Sequence, residues 1–375
     1  MIYLDYSANT PADSRVLERF CEVERNCPGN ANSRHQAGRD AKLVIDHATQ
    51  RIAGLLSAQP AEVIYTSGAS EANNFALKGL AKLSRHLGKH IISTPLEHSS
   101  VSGTLTALQE QGYEIDLVDI KRDGTIDLDH LKELLRPDTI VVAVTMVDSE
   151  LGVVQPVQEI AEILKDHPHC HLHVDATQAV GKIPVSFEGV DTMSLTAHKF
   201  YGLNGIGLLL KRRNLALEPL IHGGESTTIY RSGTPTVALA SSLALALELA
   251  VEQLPEHAEA VQKANAFLRT ELAKYPKVRI NSPENAIPHI LNLSVQDVKG
   301  TVFQRELNEE GVCVSVKSAC SSDGLPSRAV FAVSRDRRNA LSSWRVSLSH
   351  RTTEEDLRGF LAAFDRCYRR LTETK

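Results

Sequence analysis

A lysine stands where a short apolar segment gives way to a glycine-punctuated turn. In Ser194-Leu-Thr-Ala-His-Lys-Phe-Tyr-Gly202 the β-like stretch Thr192 to Thr196 runs into His198-Lys199, and a second apolar run, Ile206 to Leu210, follows the turn. An amine held at a strand end between Thr196 and His198 suits a lysine that loses its proton and attacks a carbonyl, as a Schiff-base lysine does. Upstream, the strand-like His173-Val-Asp-Ala-Thr-Gln178 carries an acid, Asp175, placed to pair with the protonated ring nitrogen of pyridoxal phosphate. Together the two segments predict a pyridoxal-phosphate site. A third segment, Glu62 to Thr66, reads as a strand that enters the turn Ser67-Gly-Ala-Ser70 and then a helix from Glu71 to Leu83. Backbone N–H groups and the helix dipole converge at such a junction, so it is either the seat of a phosphate or a turn in which Ser70 caps the helix.

Other polar residues fall after apolar runs in the same way: His98, Ser149 and Gln178. The elements that must position them alternate. Helical spacing between Gln36 and Leu56 is followed by segments at His90 to Thr94, Ser99 to Gln111, Tyr113 to Ile120, Leu128 to Leu135, Thr139 to Val147, Val157 to Lys165 and Cys170 to Asp175. This alternation predicts an α/β fold whose mostly parallel sheet is covered on both faces, with the site at the carboxyl ends of the strands. A long apolar helix is expected from Pro235 to Leu254. After Pro255 the pattern changes to a helix from His257 to Tyr275, strands at His289 to Ser294, Val312 to Val316 and Trp344 to Leu348, a helix from Gly300 to Glu310 and another from Thr353. The expected division is a large α/β domain over residues 13–255 and a small α+β domain built from 1–12 and 256–375. Between Cys320 and Ser343 a polar loop with Arg328, Arg335, Arg337 and Arg338 is expected.

The composition narrows the function classes. A chain of 375 residues with a net charge of −5 has no electrostatic footprint for nucleic acid or an anionic membrane, which points to a small substrate. The first residues lack a basic region followed by a long apolar core, so a cytoplasmic protein is expected. Cys21, Cys27, Cys170, Cys313, Cys320 and Cys367 form no CxxC pair, as in a reducing compartment. Of these, Cys320 sits in polar company, Lys317-Ser-Ala-Cys-Ser-Ser322, and is the candidate reactive thiolate; the others are read as structural. His167, His169, His171 and His173 are read as a loop entering a strand rather than a metal site. Gly202-Leu-Asn-Gly-Ile-Gly207 has the wrong order and the wrong flanks for a dinucleotide loop. Arg345, at the expected start of a strand, is placed to grip a carboxylate with two parallel hydrogen bonds.

With these residues in hand, the chain resembles the NifS and IscS type cysteine desulfurases, class V members of the fold-type I pyridoxal-phosphate enzymes. The resemblance runs through Tyr3-Leu-Asp-Tyr-Ser-Ala-Asn-Thr-Pro11, Gly29-Asn-Ala-Asn-Ser-Arg-His35, Thr66-Ser-Gly-Ala-Ser-Glu-Ala-Asn-Asn74, Glu97-His98, Glu150-Leu-Gly-Val-Val-Gln-Pro156, His173 to Gln178, His198-Lys199, Arg231-Ser-Gly-Thr234, Ser318-Ala-Cys320 and Ser343-Trp-Arg345. It implies that Lys199 holds the cofactor as an imine and shuttles the substrate's Cα proton. His98 would stack on the ring, Asp175 keep its nitrogen protonated, and Gln178 bond the phenolate oxygen. Ala69, Ser70, Thr196 and His198 would hold the phosphate, with Thr234 reaching over from the second subunit of a homodimer. Arg345 would bind the carboxylate of L-cysteine, and the Cys320 thiolate would take the substrate sulfur as a persulfide, leaving alanine. The sulfur would pass to an acceptor protein serving iron-sulfur assembly or tRNA thiolation. Two rivals stay open: a selenocysteine lyase or other amino-acid lyase or aminotransferase, and a sulfur-relay protein of weak activity.

Some positions depart from the family pattern. Asp148-Ser149 replaces the usual pair of asparagines, which assigns the cofactor and substrate contact to Ser149. Glu225 to Ile229, Leu203-Asn204 and Val316-Lys317 also differ, and Lys317 is expected to lower the thiol pKa of Cys320 by proximity.

Overall fold

The fold is given by a computed structural model that describes residues 1–224, 226–317 and 325–373. In chain order the elements are β1 (Ile2–Tyr3), α1 (Ser14–Asn26), α2 (Gln36–Leu55), β2 (Val63–Thr66), α3 (Ala69–Ser84), β3 (His90–Ser93), α4 (Ser99–Gln109) and β4 (Glu114–Leu117). There follow α5 (Leu128–Leu134), β5 (Thr139–Thr145), α6 (Val157–Leu164), β6 (His171–Asp175), β7 (Thr192–Thr196), β8 (Gly207–Lys211), α7 (Val237–Glu252) and α8 (Leu254–Leu272). The last are β9 (Val278–Ile280), β10 (Ile290–Val295), α9 (Gly300–Glu309), β11 (Val312–Cys313), α10 (Arg328–Ser334), α11 (Arg337–Ser342), β12 (Ser343–Ser347) and α12 (Glu354–Thr372).

Among the described residues the main sheet has seven strands in the order β2-β8-β7-β6-β5-β3-β4. The pairs β4/β3, β3/β5, β5/β6 and β6/β7 are parallel, as the strand-helix alternation predicts, whereas β8 runs antiparallel to both its neighbours. The Val/Ile-rich β5 is buried along its whole length, because helices cover both faces. The reversal from β7 to β8 is the glycine turn after Lys199. Gly207 is required there: a Cβ on it would lie 2.6 Å from Leu195 O and 2.7 Å from Gly68 Cα. The main sheet therefore brings the turn before α3 against the end of β7 through a residue without a side chain.

A second core gathers Leu4, Phe303, Trp344, Phe360 and Phe364 on the antiparallel sheet β12-β10-β9. The rings of Phe303 and Trp344 stack at 5.1 Å. β1 pairs in parallel with β11, so the N-terminal segment is bound to the C-terminal part of the chain and continues from there into the main sheet's site.

Several predicted boundaries move. The sequence reading assigned nothing to α1, which Asp13 caps by accepting from Arg15 N and which packs on α7. α8 begins at Leu254, three residues before the predicted start, with Pro255 in its first turn and a bend of 65° from α7. The predicted strand over Val312 to Val316 is only β11, followed by a single bridge from Ser315 to Arg345. The predicted polar loop before Ser343 contains α10 and α11. Each is short, capped by Ser327 and Asp336, and buries only small side chains, Ala329, Val330 and Ala332 in α10 and Asn339, Ala340 and Ser342 in α11, so the arginines dominate the sequence pattern. Among the described residues no single helix is long and apolar enough to cross a membrane.

Candidate functional site

Three adjacent strands end at one cavity of about 270 Å³. β5 contributes Thr145, β6 Asp175 and β7 Thr196; the segments that follow add Ser149, Gln178, His198 and Lys199. Ala69 and Ser70 enter from the start of α3, His98 from the cap of α4, Arg345 from β12, and Ser7 and Ala8 from the N-terminal segment. Of the predicted site residues, Thr234 does not line the cavity of its own chain; it is exposed, three residues after Arg231, whose Nε donates to Glu71 in the first turn of α3 at 3.0 Å. Cys320 lies outside the described residues, so the expected influence of Lys317 on its thiol does too.

Lys199 Nζ donates to two backbone carbonyls, Ser7 O at 2.7 Å and Ala8 O at 2.6 Å. Carbonyl oxygens only accept, so Nζ is the donor in both contacts, and the two tie this cavity-lining amine to the N-terminal segment. Its neighbour His198 is pushed down to about 4, first by burial and then by the charges of Lys199 and Lys182. Thr196 Oγ1 donates to Ile206 O at 3.1 Å and therefore accepts from His198 Nδ1 at 3.1 Å.

Asp175 is held by donors on both oxygens: Thr177 N on Oδ1 at 2.9 Å and Asn73 Nδ2 on Oδ2 at 2.8 Å. The donor on Oδ2 is itself fixed. Asn73 is fully buried, and its Oδ1 accepts from Ser194 Oγ at 2.5 Å and from His173 Nε2 at 3.0 Å. Burial pushes His173 down to about 4, so the ring is neutral with its proton on Nε2, and Nδ1 accepts from Thr192 Oγ1 at 2.9 Å. The register explains the assembly. His173 pairs with Thr192 and Asp175 with Ser194, so polar side chains at every second position of β6 and β7 share the face under α3. The other Asn73 N–H goes to Ser100 Oγ at 2.9 Å, and Ser100 N donates to His98 Nδ1 at 3.1 Å. His98 thus carries its proton on Nε2; burial and Lys199 lower its pKa, against the opposing effect of Asp175. Asn73, His173 and Ser194 were missed as site residues, although the period-2 polar pattern of Thr192-Met-Ser-Leu-Thr196 inside a buried strand signals them.

Two predicted placements change. Ser70 is not a cap, because α3 starts at Ala69 after Gly68; Ser70 sits in the first turn, beside the free N–H groups. Arg345 is not at a strand start but third in β12 and fully buried, with Nη2 on Asp5 Oδ1 at 2.9 Å and Nη1 on Ser149 O at 2.7 Å. Its Nε is buried with no partner among the described residues, as are the hydroxyls of Ser7 and Thr177. All three residues line the cavity. Buried orphan donors are costly unless a ligand meets them, so the cavity is built for a polar guest. Asp148, next to the cavity-lining Ser149, is pushed up to about 7, by burial first and then by Glu150.

The thiols divide plainly. Cys21, Cys27, Cys170, Cys313 and Cys367 are free, and burial pushes Cys170 up to about 12 and raises Cys367. Among the described residues no group of three His, Cys, Asp or Glu is arranged to hold a metal.

A sheet whose strand ends present a lysine amine, a buried carboxylate and a helix N-terminus around one cavity defines an α/β enzyme of the pyridoxal-phosphate class. Comparison agrees: the family described as Aminotransferase class-V matches residues 2–360. The cysteine desulfurase IscS of Dictyoglomus turgidum is 37% identical over 375 residues, 99% of this chain and 95% of its own. The cysteine desulfurase IscS of Proteus mirabilis is 40% identical over 365 residues, 95% of this chain and 90% of its own. A solved NifS-like protein superposes with a TM-score of 0.92 at 34% identity, covering 97% of this chain and 98% of that one. The chain belongs to the class-V aminotransferase family and, within it, to the NifS/IscS cysteine desulfurases. Its cofactor is pyridoxal phosphate. The donor set fits that group: an acid with two neutral donors for the ring nitrogen, an amine beside it and a helix N-terminus for the phosphate.

Proposed function

We propose that the chain converts L-cysteine to L-alanine and collects the sulfur as a persulfide on Cys320. The observation that carries this reading is the meeting of Lys199, Asp175, His98 and Arg345 in one cavity. The bound cofactor supplies an electron sink that acidifies the substrate's Cα hydrogen. Ala69, Ser70, Thr196 and His198 would hold its phosphate, Asp175 its ring nitrogen and Gln178 its phenolate oxygen, and His98 would stack on the ring. Arg345 binds the substrate carboxylate through Nε, the donor that no residue of the site uses, while Asp5 and Ser149 O keep the guanidinium in place. Ser149 offers its hydroxyl to cofactor and substrate at the same wall. Lys199 removes the Cα proton and returns it. In the transfer the substrate C–S bond breaks, an S–S bond forms at Cys320 Sγ, and Cβ takes a proton.

The finer reading is a cytoplasmic homodimer whose Thr234 completes the partner's phosphate site. The exposure of Thr234 and of Ile229, 66% exposed on the same segment, supports it. We divide the chain into a large domain of residues 13–255 and a small one of 1–12 and 256–375; the second core, which includes Leu4, supports that division. The persulfide passes to an acceptor protein for iron-sulfur assembly or tRNA thiolation. Alanine and sulfide release from L-cysteine with a thiol reductant, compared with Cys320→Ala, tests the reading. Both products vanish together in the variant if Cys320 is the acceptor; an equally active variant makes the enzyme a lyase acting through Lys199 alone.

A further inference from the structure

Lys182 is a buried amine that none of the chemistry above uses, 8% exposed and in a part of the chain otherwise committed to the site. After Asp175 the backbone coils in successive turns, with Ala179 N on Ala176 O at 2.9 Å and Lys182 N on Ala179 O at 3.0 Å. These turns bring Lys182 back over the residue four positions earlier, and its Nζ donates to Gln178 Oε1 at 2.5 Å. The other end of that amide, Nε2, donates to Ser7 O at 2.9 Å. A primary amide has one carbonyl oxygen and two N–H bonds. Ser7 O can only accept, so the nitrogen end must face Ser7 and the oxygen end must face Lys182. One N–H is then left over on a residue that lines the cavity.

An apolar side chain of similar length would fill the space of Lys182 without taking an amine out of water. The amine is also poorly placed as a charge. Burial, Lys199 and Arg345 all push its pKa well below the usual lysine range, and its own charge lowers those of His198 and His289. What it adds is a donor to Gln178 Oε1.

We propose that Lys182 is a positioning residue, which holds the carbonyl end of Gln178 so that the second amide N–H is presented to the phenolate oxygen of pyridoxal phosphate. The assignment rests on the reading of Gln178 as the phenolate contact. A hydrogen bond donated to that oxygen favours its anionic form and lowers the pH at which the visible band of the bound cofactor titrates.

The test is a pH titration of that band in the holoenzyme, with the cofactor dissociation constant measured on the same proteins, for Lys182→Met, Lys182→Arg, Gln178→Leu and the double variant. Lys182→Met is expected to raise the apparent pKa by about one unit and to weaken cofactor binding roughly tenfold, the size of one charge-assisted hydrogen bond. Lys182→Arg, which keeps a donor, is expected to restore most of both. Because Lys182 is an ionisable group near the cavity, its loss could act directly on the cofactor, and the double variant separates the two. If Lys182 works through Gln178, the double variant titrates like Gln178→Leu alone; a further shift overturns the proposal. Removing both partners of a buried hydrogen bond costs less than removing one, so the double variant decides even where Lys182→Met alone does not fold. A Gln178→Leu protein that titrates like the native one overturns the phenolate reading and this assignment with it. A shifted Gln178→Leu beside an unshifted, folded Lys182→Met overturns the assignment only.

Discussion

Asn73 donates to the carboxylate of Asp175 at 2.8 Å, and it can do so in only one orientation. Its oxygen is already claimed by His173 and Ser194, so the amide nitrogen must face the acid. The same nitrogen reaches Ser100, which fixes His98. One buried amide thus ties Asp175 to His98, the residues proposed above for the ring nitrogen and the ring face of the cofactor.

Replacing Asn73 with leucine of similar volume removes a donor from Asp175 and from Ser100 together. Cofactor affinity is expected to fall about tenfold or more, since a hydrogen bond to a charged group contributes roughly 1.5–3 kcal/mol. Titrating the cofactor-free protein with pyridoxal phosphate and following tyrosine and tryptophan fluorescence measures it. An unchanged dissociation constant would show that Thr177 N alone suffices to hold Asp175.

Asp148 stands where the family carries an asparagine, and the structure gives that difference a pH signature. Burial and then Glu150 push its carboxyl up to about 7, above the ordinary aspartate range, so the folded protein holds a proton that the unfolded chain releases as pH rises. Stability conferred by the neutral acid is present below pH about 4 and is lost progressively as pH climbs towards 7. Asp148→Asn keeps an oxygen for Leu151 N and cannot ionise. The variant is therefore expected to match the native protein near pH 4 and to melt several degrees higher at pH 8. Thermal melts at the two pH values check it; equal differences at both would remove Asp148 as the source. Glu97, pushed up to about 8 chiefly by burial, titrates in the same direction and leaves a residual slope in the variant.

How much of this was readable follows from which residues carry a local signal. Lys199, Asp175 and the Ser67–Ser70 turn were legible because each terminates an apolar run, and the period of the runs gives the sheet. Asn73 was not, because on α3 it is one polar residue among helix formers and its meaning depends on a strand about a hundred residues away. Lys182 carried no signal of its own, because a lysine after Gly181 does not show in the sequence that its amine is buried against Gln178. Arg345 was legible as a type of residue but not as a geometry. Its burial and its bond to Asp5 join the two ends of the sequence, a relation with no local pattern.

Gly207 offers a test of the cradle itself. A Cβ there would press on Leu195 O and on the backbone of Gly68, neither of which is a flexible side-chain end. Gly207→Ala is expected to push the start of α3 away from Thr196, destabilising the fold by about 1–3 kcal/mol. Pyridoxal phosphate should lose more affinity than pyridoxal if the displaced N–H groups hold the phosphate, as proposed above. Competition binding of the two compounds checks this; equal losses would place the phosphate elsewhere.

Arg345 separates charge from geometry. Arg345→Lys keeps a cation for Asp5 but has no planar fork, so it cannot hold Asp5, Ser149 O and a carboxylate at once. The expected result is a KM for L-cysteine raised tenfold to a hundredfold, the range set by one charge-assisted hydrogen bond of roughly 1.5–3 kcal/mol. kcat should change less, because the carboxylate contact is made in the ground state as well as in the transition state. Arg345→Ala goes further and removes one donor from the Asp5 carboxylate, whose other oxygen accepts from Ser315 Oγ at 2.8 Å. That variant is expected to lose stability as well as substrate affinity, and the loss should shrink when Asp5→Asn is added. Steady-state kinetics on Arg345→Lys and melts on the other two measure both effects. A KM within twofold of the native value in Arg345→Lys would mean that the guanidinium serves Asp5 and Ser149 alone and that the substrate carboxylate is held by another donor, with the orphan hydroxyls of Ser7 and Thr177 the first to replace.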